Sequence, residues 1–244
     1  MMKLLEYEVT PYDTDYFRCV SPANYLKMME SAGFIALETY GLEMQQMIEQ
    51  LQATWMMASA ELEVFGQIHE IGPVQLYGEP PEISGPLLTV TVRLLRNREL
   101  IAQCRLHNMA VNFKTRKVIP PGEVCRHFGV NCENSGGKAP RLVLPETMEP
   151  TDEIHVRYSD CDHNRHLRAI KYTDYVCDAA EFWQGRVPNR AKRLQMEYVR
   201  ECRAGETLTL YSNRETPGTT YVVGKRQEGY DAFRACLEME ADAI

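Results

Sequence analysis

The sequence predicts an α+β protein built from two tandem copies of one unit, each a long helix laid against an antiparallel sheet. Three observations predict it. The chain aligns with itself without gaps at an offset of 147 positions, which brings Val9 onto Val156, Asp13 onto Asp160, Asp15 onto Asp162, Arg18 onto Arg165 and Tyr25 onto Tyr172. Each copy passes from a short extended stretch through Asp-x-Asp into a helical pattern, and then into strand-like alternation. Between the copies lies a stretch rich in Asn, Gly and Pro with little periodicity. The expected organisation is a first unit over 1–128, a linker over 129–150 and a second unit over 151–244.

The elements follow in order. Ser21 stands as an N-cap with Pro22 at the first helical position. Tyr25, Met28, Met29, Ala32 and Ala36 then recur at helical spacing. Val90, Val92 and Leu94 alternate with outward-facing partners, as in a half-buried strand. Residues 98–119 read as a hairpin, with apolar runs at 100–102 and 109–113 and the polar turn Lys114-Thr115-Arg116-Lys117. In the second copy Ile170, Tyr172, Val176, Ala179 and Trp183 make the helical stripe. Leu208 and Leu210 alternate, and 219–223 and 232–239 supply the late strands.

Bulk properties narrow the function. Of 244 residues, 44% are hydrophobic and 25% charged, an ordinary globular composition. A net charge of -7 argues against a nucleic-acid partner. No apolar run reaches the roughly 18 residues of a membrane span, and Met1-Met2-Lys3-Leu4-Leu5-Glu6 does not open a signal peptide. A cytoplasmic protein without a membrane partner is expected. The eight cysteines include no Cys-x-x-Cys pair, so zinc-ribbon and thioredoxin chemistry are set aside and free thiols expected. Gly137-Lys138 is no phosphate loop, because Ala139 stands where Ser or Thr is required.

The chemistry is concentrated in the second copy. Asp162, Asn164 and His166 alternate, and an extended segment would point all three to one face. A carboxylate, an amide and an imidazole so placed can orient one another and handle a proton. The first copy has Phe17 and Cys19 in place of Asn164 and His166. A second stretch, Glu197-Tyr198-Val199-Arg200-Glu201-Cys202, is read as the start of a strand and offers Glu197 and Glu201 as bases and Cys202 as a nucleophile. His155, His163 and His166 do not form a convincing metal-ligand set; no metal and no cofactor are expected.

Asp162-x-Asn164-x-His166, then Tyr172, then Glu197-Tyr198-x-Arg200-Glu201-Cys202, resembles the acyl-acyl carrier protein thioesterase family of plants and bacteria. Thr54-Trp55 before a strand, and the 98–116 segment ending in Thr-Arg, extend the resemblance over most of the chain from Tyr7 to Glu240. It implies a double hotdog fold, with the first unit binding the acyl chain and the second catalysing. It implies a catalytic set of Asp162, Asn164, His166, Glu201 and Cys202, and hydrolysis of fatty acyl-acyl carrier protein to free fatty acid. The family usually continues His-Val-Asn-Asn, where this chain has His166-Leu167-Arg168-Ala169, so the anchoring of the loop near the helix start differs.

The mechanism expected from these residues has Glu201, with His166, activating water, Asn164 polarising the thioester carbonyl and Asp162 orienting its neighbours. Two roles stay open for Cys202, a nucleophile paired with His166 or a packed neighbour of Glu201. The adjacent carboxylate disfavours a thiolate and hence the first. Met28, Met29, Met44, Met47, Met56 and Met57 line either an acyl tunnel or simply the core. Arg186, Arg190, Lys192 and Arg193 form a run that an acidic carrier protein could meet. The partner expected is thus acyl carrier protein bearing a fatty acyl chain, met by a monomer or homodimer. Acyl-coenzyme A hydrolysis, a silent acyl-binding protein and a hotdog dehydratase using Glu30 or Glu38 are the rivals.

Overall fold

A computed structural model of the chain describes residues 1–137, 141–180 and 191–240. The chain divides into two compact units. One comprises Met1–Val9, Met28–Ala60 and Gly72–Pro140; the other comprises Thr10–Lys27, Glu61–Ile71 and Arg141–Ile244. Two stretches of the first sequence copy therefore group with the C-terminal half. They hold each other: Val20 N–H donates to the Ile68 carbonyl at 3.0 Å, and the Tyr25 hydroxyl reaches the Gly66 carbonyl at 3.3 Å.

The strands β1 (Met2–Val9), β3 (Gly72–Gly78), β5 (Leu87–Arg96), β6 (Glu99–Asn112) and β2 (Ala53–Val64, of which 53–60 belong to the first unit) lie side by side in that order. The helix α1 (Pro22–Thr39) starts where expected, and Ser21 Oγ accepts the Asn24 N–H at 3.2 Å, which satisfies one of the end's unpaired donors. Tyr25, Met28, Met29, Ala32 and Ala36 are all buried. Gly33 lets the helix approach β6 closely, since a Cβ there would run into Leu106 Cδ1. The shorter helix α2 (Met44–Leu51) adds Met47 to the core, whereas Met44, Met56 and Met57 are partly exposed.

The predicted hairpin is redrawn. The runs 100–102 and 109–113 belong mainly to one strand, β6, which buries Ala102, Cys104, Leu106 and Ala110. It turns back on β5 through Asn97 and Arg98, both left-handed (φ 51° and 68°), a two-residue turn whose twist suits a hairpin. At its other end the polar turn leads to the short β7 (Val118–Ile119), as expected. The helix α3 (Pro121–His127) follows.

The linker is partly structured. Its β8 (Glu133–Asn134) pairs in parallel with β4 (Glu82–Ser84), and Ser135 Oγ lies 2.9 Å from Ser84 Oγ. Two polar residues carry no period, so this strand is invisible in the sequence. Lys138, Ala139 and Pro140 lie outside the described residues.

In the second unit the strand order is β10 (Ala191–Tyr198), β13 (Asp231–Met239), β12 (Thr219–Arg226), β11 (Thr207–Asn213) and β9 (Glu149–His155), with each neighbouring pair antiparallel. Leu208 and Leu210 are buried as the alternation requires. The helix α4 (Ala169–Ala179) buries Tyr172, Val176 and Ala179. The Tyr172 ring meets Tyr198 on β10 at 5.8 Å and Phe233 on β13 at 5.0 Å between centroids. Trp183, placed on this stripe by the sequence, lies outside the described residues. Both units thus carry the helix-on-antiparallel-sheet arrangement of a double hotdog.

Candidate active site

The Asp162–His166 segment is not an extended strand, contrary to the sequence expectation. It is a closed loop. Asp162 N–H donates to the His166 carbonyl at 2.8 Å, and Arg165 turns the chain in the left-handed region at φ 65°. One carboxylate oxygen, Asp162 Oδ1, accepts the N–H groups of Asn164 at 2.8 Å and His166 at 3.1 Å. A short acidic side chain that captures backbone donors two and four residues on competes successfully with extended structure. The three residues come together through this turn, and not by sharing one face of a strand. Asp162 Oδ2 also lies 3.5 Å from Asn164 Nδ2. Asp162 thus serves both neighbours chiefly through their main chain.

The loop is tied at both sides. Cys161 and Leu167 form an isolated antiparallel bridge, and Leu167 N–H donates to the Cys202 carbonyl at 2.8 Å. Arg168 donates from Nε to the Cys161 carbonyl at 3.1 Å and from Nη2 to the Ser159 carbonyl at 2.6 Å. Arg168, one of the residues that depart from the family pattern, is therefore an anchor of this loop. Its position was legible as a departure; its contacts were not.

Glu201 and Cys202 lie in the connection after β10 and not in a strand, a second difference from the expectation. The backbone bond from Leu167 to Cys202 brings this connection beside the loop, and Glu201 Oε2 stands 3.1 Å from His166 Nε2. About a quarter of each side chain is exposed, so the pair is accessible but partly desolvated. Arg203 Nη2 lies 3.9 Å from the same carboxylate oxygen. Asn164 is exposed. Glu197 is occupied elsewhere: it accepts the Leu142 N–H at 2.5 Å and lies 3.9 Å from Arg234.

Cys202 is fully buried. Burial pushes its thiol above the ordinary cysteine range, although a hydrogen bond with Tyr172 opposes the shift. Burial likewise raises the Tyr172 phenol. What Cys202 offers to the loop is its carbonyl.

The first copy repeats this backbone bond for bond. Asp15 Oδ1 accepts the N–H groups of Phe17 at 2.9 Å and Cys19 at 3.1 Å, and Asp15 N–H donates to the Cys19 carbonyl at 2.7 Å. Arg18 is left-handed at φ 61°, and Thr14 and Val20 form the matching bridge. Asp13 and Asp160 each accept the N–H three residues earlier, from Thr10 and Arg157, at 2.9 Å. The Ile68 carbonyl plays the part of the Cys202 carbonyl, which sets Gln67 opposite Glu201. The imidazole and the carboxylate are replaced by Cys19 and Gln67.

His163 and His155 are exposed, and no metal-holding group of His, Cys, Asp and Glu occurs among the described residues. All eight cysteines are free. Arg186 and Arg190 of the basic run lie outside the described residues. Lys192 is exposed, but Arg193 pairs with Glu61 at 3.3 Å and Glu238 at 3.8 Å. No helix among the described residues is long and apolar enough to cross a membrane.

Comparison with known proteins agrees with this fold. Residues 145–237 match the family described as Acyl-ACP thioesterase C-terminal domain, a span that includes the whole Asp162–Cys202 constellation. An acyl-ACP thioesterase from Bacteroides thetaiotaomicron superposes with a TM-score of 0.78 at 18% identity, over 97% of this chain and 96% of that one. A 12:0-ACP thioesterase from Umbellularia californica gives 0.77 at 17% identity, over 97% and 96%. HtdX from Mycobacterium tuberculosis shares the fold less closely, at 0.56 and 11% identity over 98% and 99%. The sequence has no match among curated proteins. The likeness to the acyl-ACP thioesterase family thus rests on residues 145–237, and the solved structures extend the likeness of fold to nearly the whole chain.

Proposed function

We propose that this protein hydrolyses the thioester of a fatty acyl group carried on acyl carrier protein, at a site formed by His166, Glu201 and Asn164. The observation that carries the reading is the 3.1 Å contact between His166 Nε2 and Glu201 Oε2, on two segments joined by the Leu167–Cys202 backbone bond. A carboxylate and an imidazole in contact form a base that can take a proton from water and later return it. Water attacks the thioester carbonyl, the base accepting its proton as the carbon–oxygen bond forms. The carbon–sulfur bond then breaks, and the thiolate leaves with that proton. Products are a free fatty acid and the carrier thiol. Exposed Asn164 is placed to donate to the carbonyl oxygen as charge develops there. Asp162 holds the loop in shape, and Cys202 supplies a structural carbonyl. Acyl selection falls to the first unit, where Met28, Met29 and Met47 give an apolar, deformable interior. Each CH₂ buried there would contribute about 0.8 kcal/mol. The docking partner is the carrier protein itself, and the site of action is the cytoplasm.

The test is thiol release from palmitoyl- and oleoyl-acyl carrier protein, by the wild type and by His166→Ala, with palmitoyl-coenzyme A run in parallel. Release from the carrier protein that collapses in the variant supports the reading. Faster release from coenzyme A overturns the choice of carrier. Bound but unhydrolysed acyl chain overturns the enzyme assignment. Release that survives the substitution overturns the site.

A further inference from the structure

A chain of polar side chains outside the site described above crosses the first unit. Its members are His107 on β6, Thr89 on β5, Ser84 at the end of β4 and Ser135 directly after β8. Thr89 and His107 are cross-strand partners. They lie on the side of the sheet away from α1, since side chains alternate along a strand and the neighbouring Leu106 is the one that abuts Gly33 of that helix. Ser84, Thr89 and His107 are all buried, His107 completely. The contacts are continuous. His107 Nδ1 lies 2.9 Å from Thr89 Oγ1, and Thr89 Oγ1 lies 3.2 Å from Ser84 Oγ. Ser84 Oγ lies 2.9 Å from Ser135 Oγ, and Ser135 Oγ lies 3.2 Å from the Ile83 carbonyl oxygen.

Counting protons gives the chain a direction. A carbonyl only accepts, and each hydroxyl has one proton to give. Ser135 therefore donates to Ile83, Ser84 to Ser135 and Thr89 to Ser84, which leaves His107 to donate to Thr89 from Nδ1. Reversing any link costs the chain one bond, and buried polar groups rarely forgo a partner. We propose that this chain is a one-way latch, which holds the start of the linker on the first sheet and keeps the His107 proton on Nδ1. The linker strap has little else to hold it. β8 pairs with β4 at two positions, Ser135 N–H adds a bond to the Ile83 carbonyl at 3.0 Å, and Glu133, Asn134 and Ser135 are all exposed. Short exposed pairings open easily. The hydroxyl chain carries the attachment inward to the paired strands β5 and β6. Ring and strap are coupled through it. A proton on Nε2 in place of Nδ1 would draw the Thr89 hydroxyl toward the ring and break its bond to Ser84.

Two measurements on the full chain test the latch. Long-range nitrogen–proton NMR spectra of the labelled wild type show which ring nitrogen of His107 carries the proton, once the ring is assigned through the residue's own backbone resonances. The expected pattern is Nδ1–H. Hydrogen exchange read by mass spectrometry shows how firmly residues 133–136 are held. Thr89→Val keeps the branched shape and removes the hydroxyl, so His107 and Ser84 both lose their partner. Exchange over 133–136 should then rise by at least about fivefold relative to α1, the equivalent of one buried hydrogen bond. Thr89→Ser, which returns the hydroxyl, should bring exchange back toward the wild type. A wild-type His107 ring protonated on Nε2 alone overturns the proposal without recourse to variants. So does a folded Thr89→Val protein in which exchange over 133–136 does not rise relative to α1.

Discussion

His166 Nε2 and Glu201 Oε2 stand 3.1 Å apart, each on a segment fixed by a backbone hydrogen bond to the other segment's neighbour. The contact depends on the carboxylate. Glu201→Gln keeps the size and loses the base, so kcat on acyl-acyl carrier protein should fall by about 10²–10⁴-fold. The melting temperature should barely move, because the group is partly exposed. Steady-state thiol release and thermal unfolding on the same preparation check both parts. Undiminished kcat would remove Glu201 from the chemistry.

Cys202→Ala should retain most of the turnover. The thiol is buried and held protonated by its surroundings, which is the wrong state for a nucleophile. The carbonyl that the loop uses is unchanged by the substitution. Loss of a buried hydrogen bond to Tyr172 should cost about 1–3 kcal/mol, read from urea unfolding. A trapped acyl-enzyme on Cys202 in the wild type would contradict this.

Asp15→Ala and Asp162→Ala make a matched pair. Each removes the acceptor of two backbone N–H groups, and each should destabilise by about 1–3 kcal/mol. Their effects on rate should part company. Asp162→Ala should lower kcat sharply, while Asp15→Ala should leave it near wild type. Equal kinetic losses would mean that stability alone is being read.

Arg168→Met keeps the aliphatic stem and removes the bonds to Ser159 and Cys161. The loop should loosen, with kcat reduced more than KM is raised. Stability should change by no more than about 1 kcal/mol at this exposed site. Arg168→Lys should restore part of kcat, since an ammonium can reach one carbonyl but not present the same fork.

Gly224→Ala tests the packing behind the site. A Cβ there would run into the Phe233 ring, which rests against Tyr172. Overpacking of this kind costs about 1–3 kcal/mol. A lowered melting temperature is expected, and an unchanged one would show that the ring moves aside freely.

Much of this arrangement could be read from residues. The 147-position repeat marked Asp13 and Asp160, Asp15 and Asp162, and Arg18 and Arg165 as counterparts, because turns that need a left-handed residue and a capping carboxylate constrain sequence strongly. The buried stripes of α1 and α4 showed as period. Alternation of Asp162, Asn164 and His166 suggested a strand, yet local side-chain capping overrode it. Glu201 and Glu197 looked equivalent as bases; their separation depends on Leu142 and Arg234, partners distant in the chain. The grouping of Thr10–Lys27 and Glu61–Ile71 with the C-terminal half rests on long-range bonds that no local pattern encodes.

The Asp15 loop has kept every main-chain bond of its counterpart while Phe17, Cys19 and Gln67 took the places of Asn164, His166 and Glu201. Such a loop is a mount whose shape is indifferent to what is bolted onto it. The aspartate, the left-handed arginine and one borrowed carbonyl carry the geometry, and the alternate positions are left free to vary. Chemistry could therefore be lost from one mount without unfolding it, and as far as the main chain is concerned it could be fitted there again.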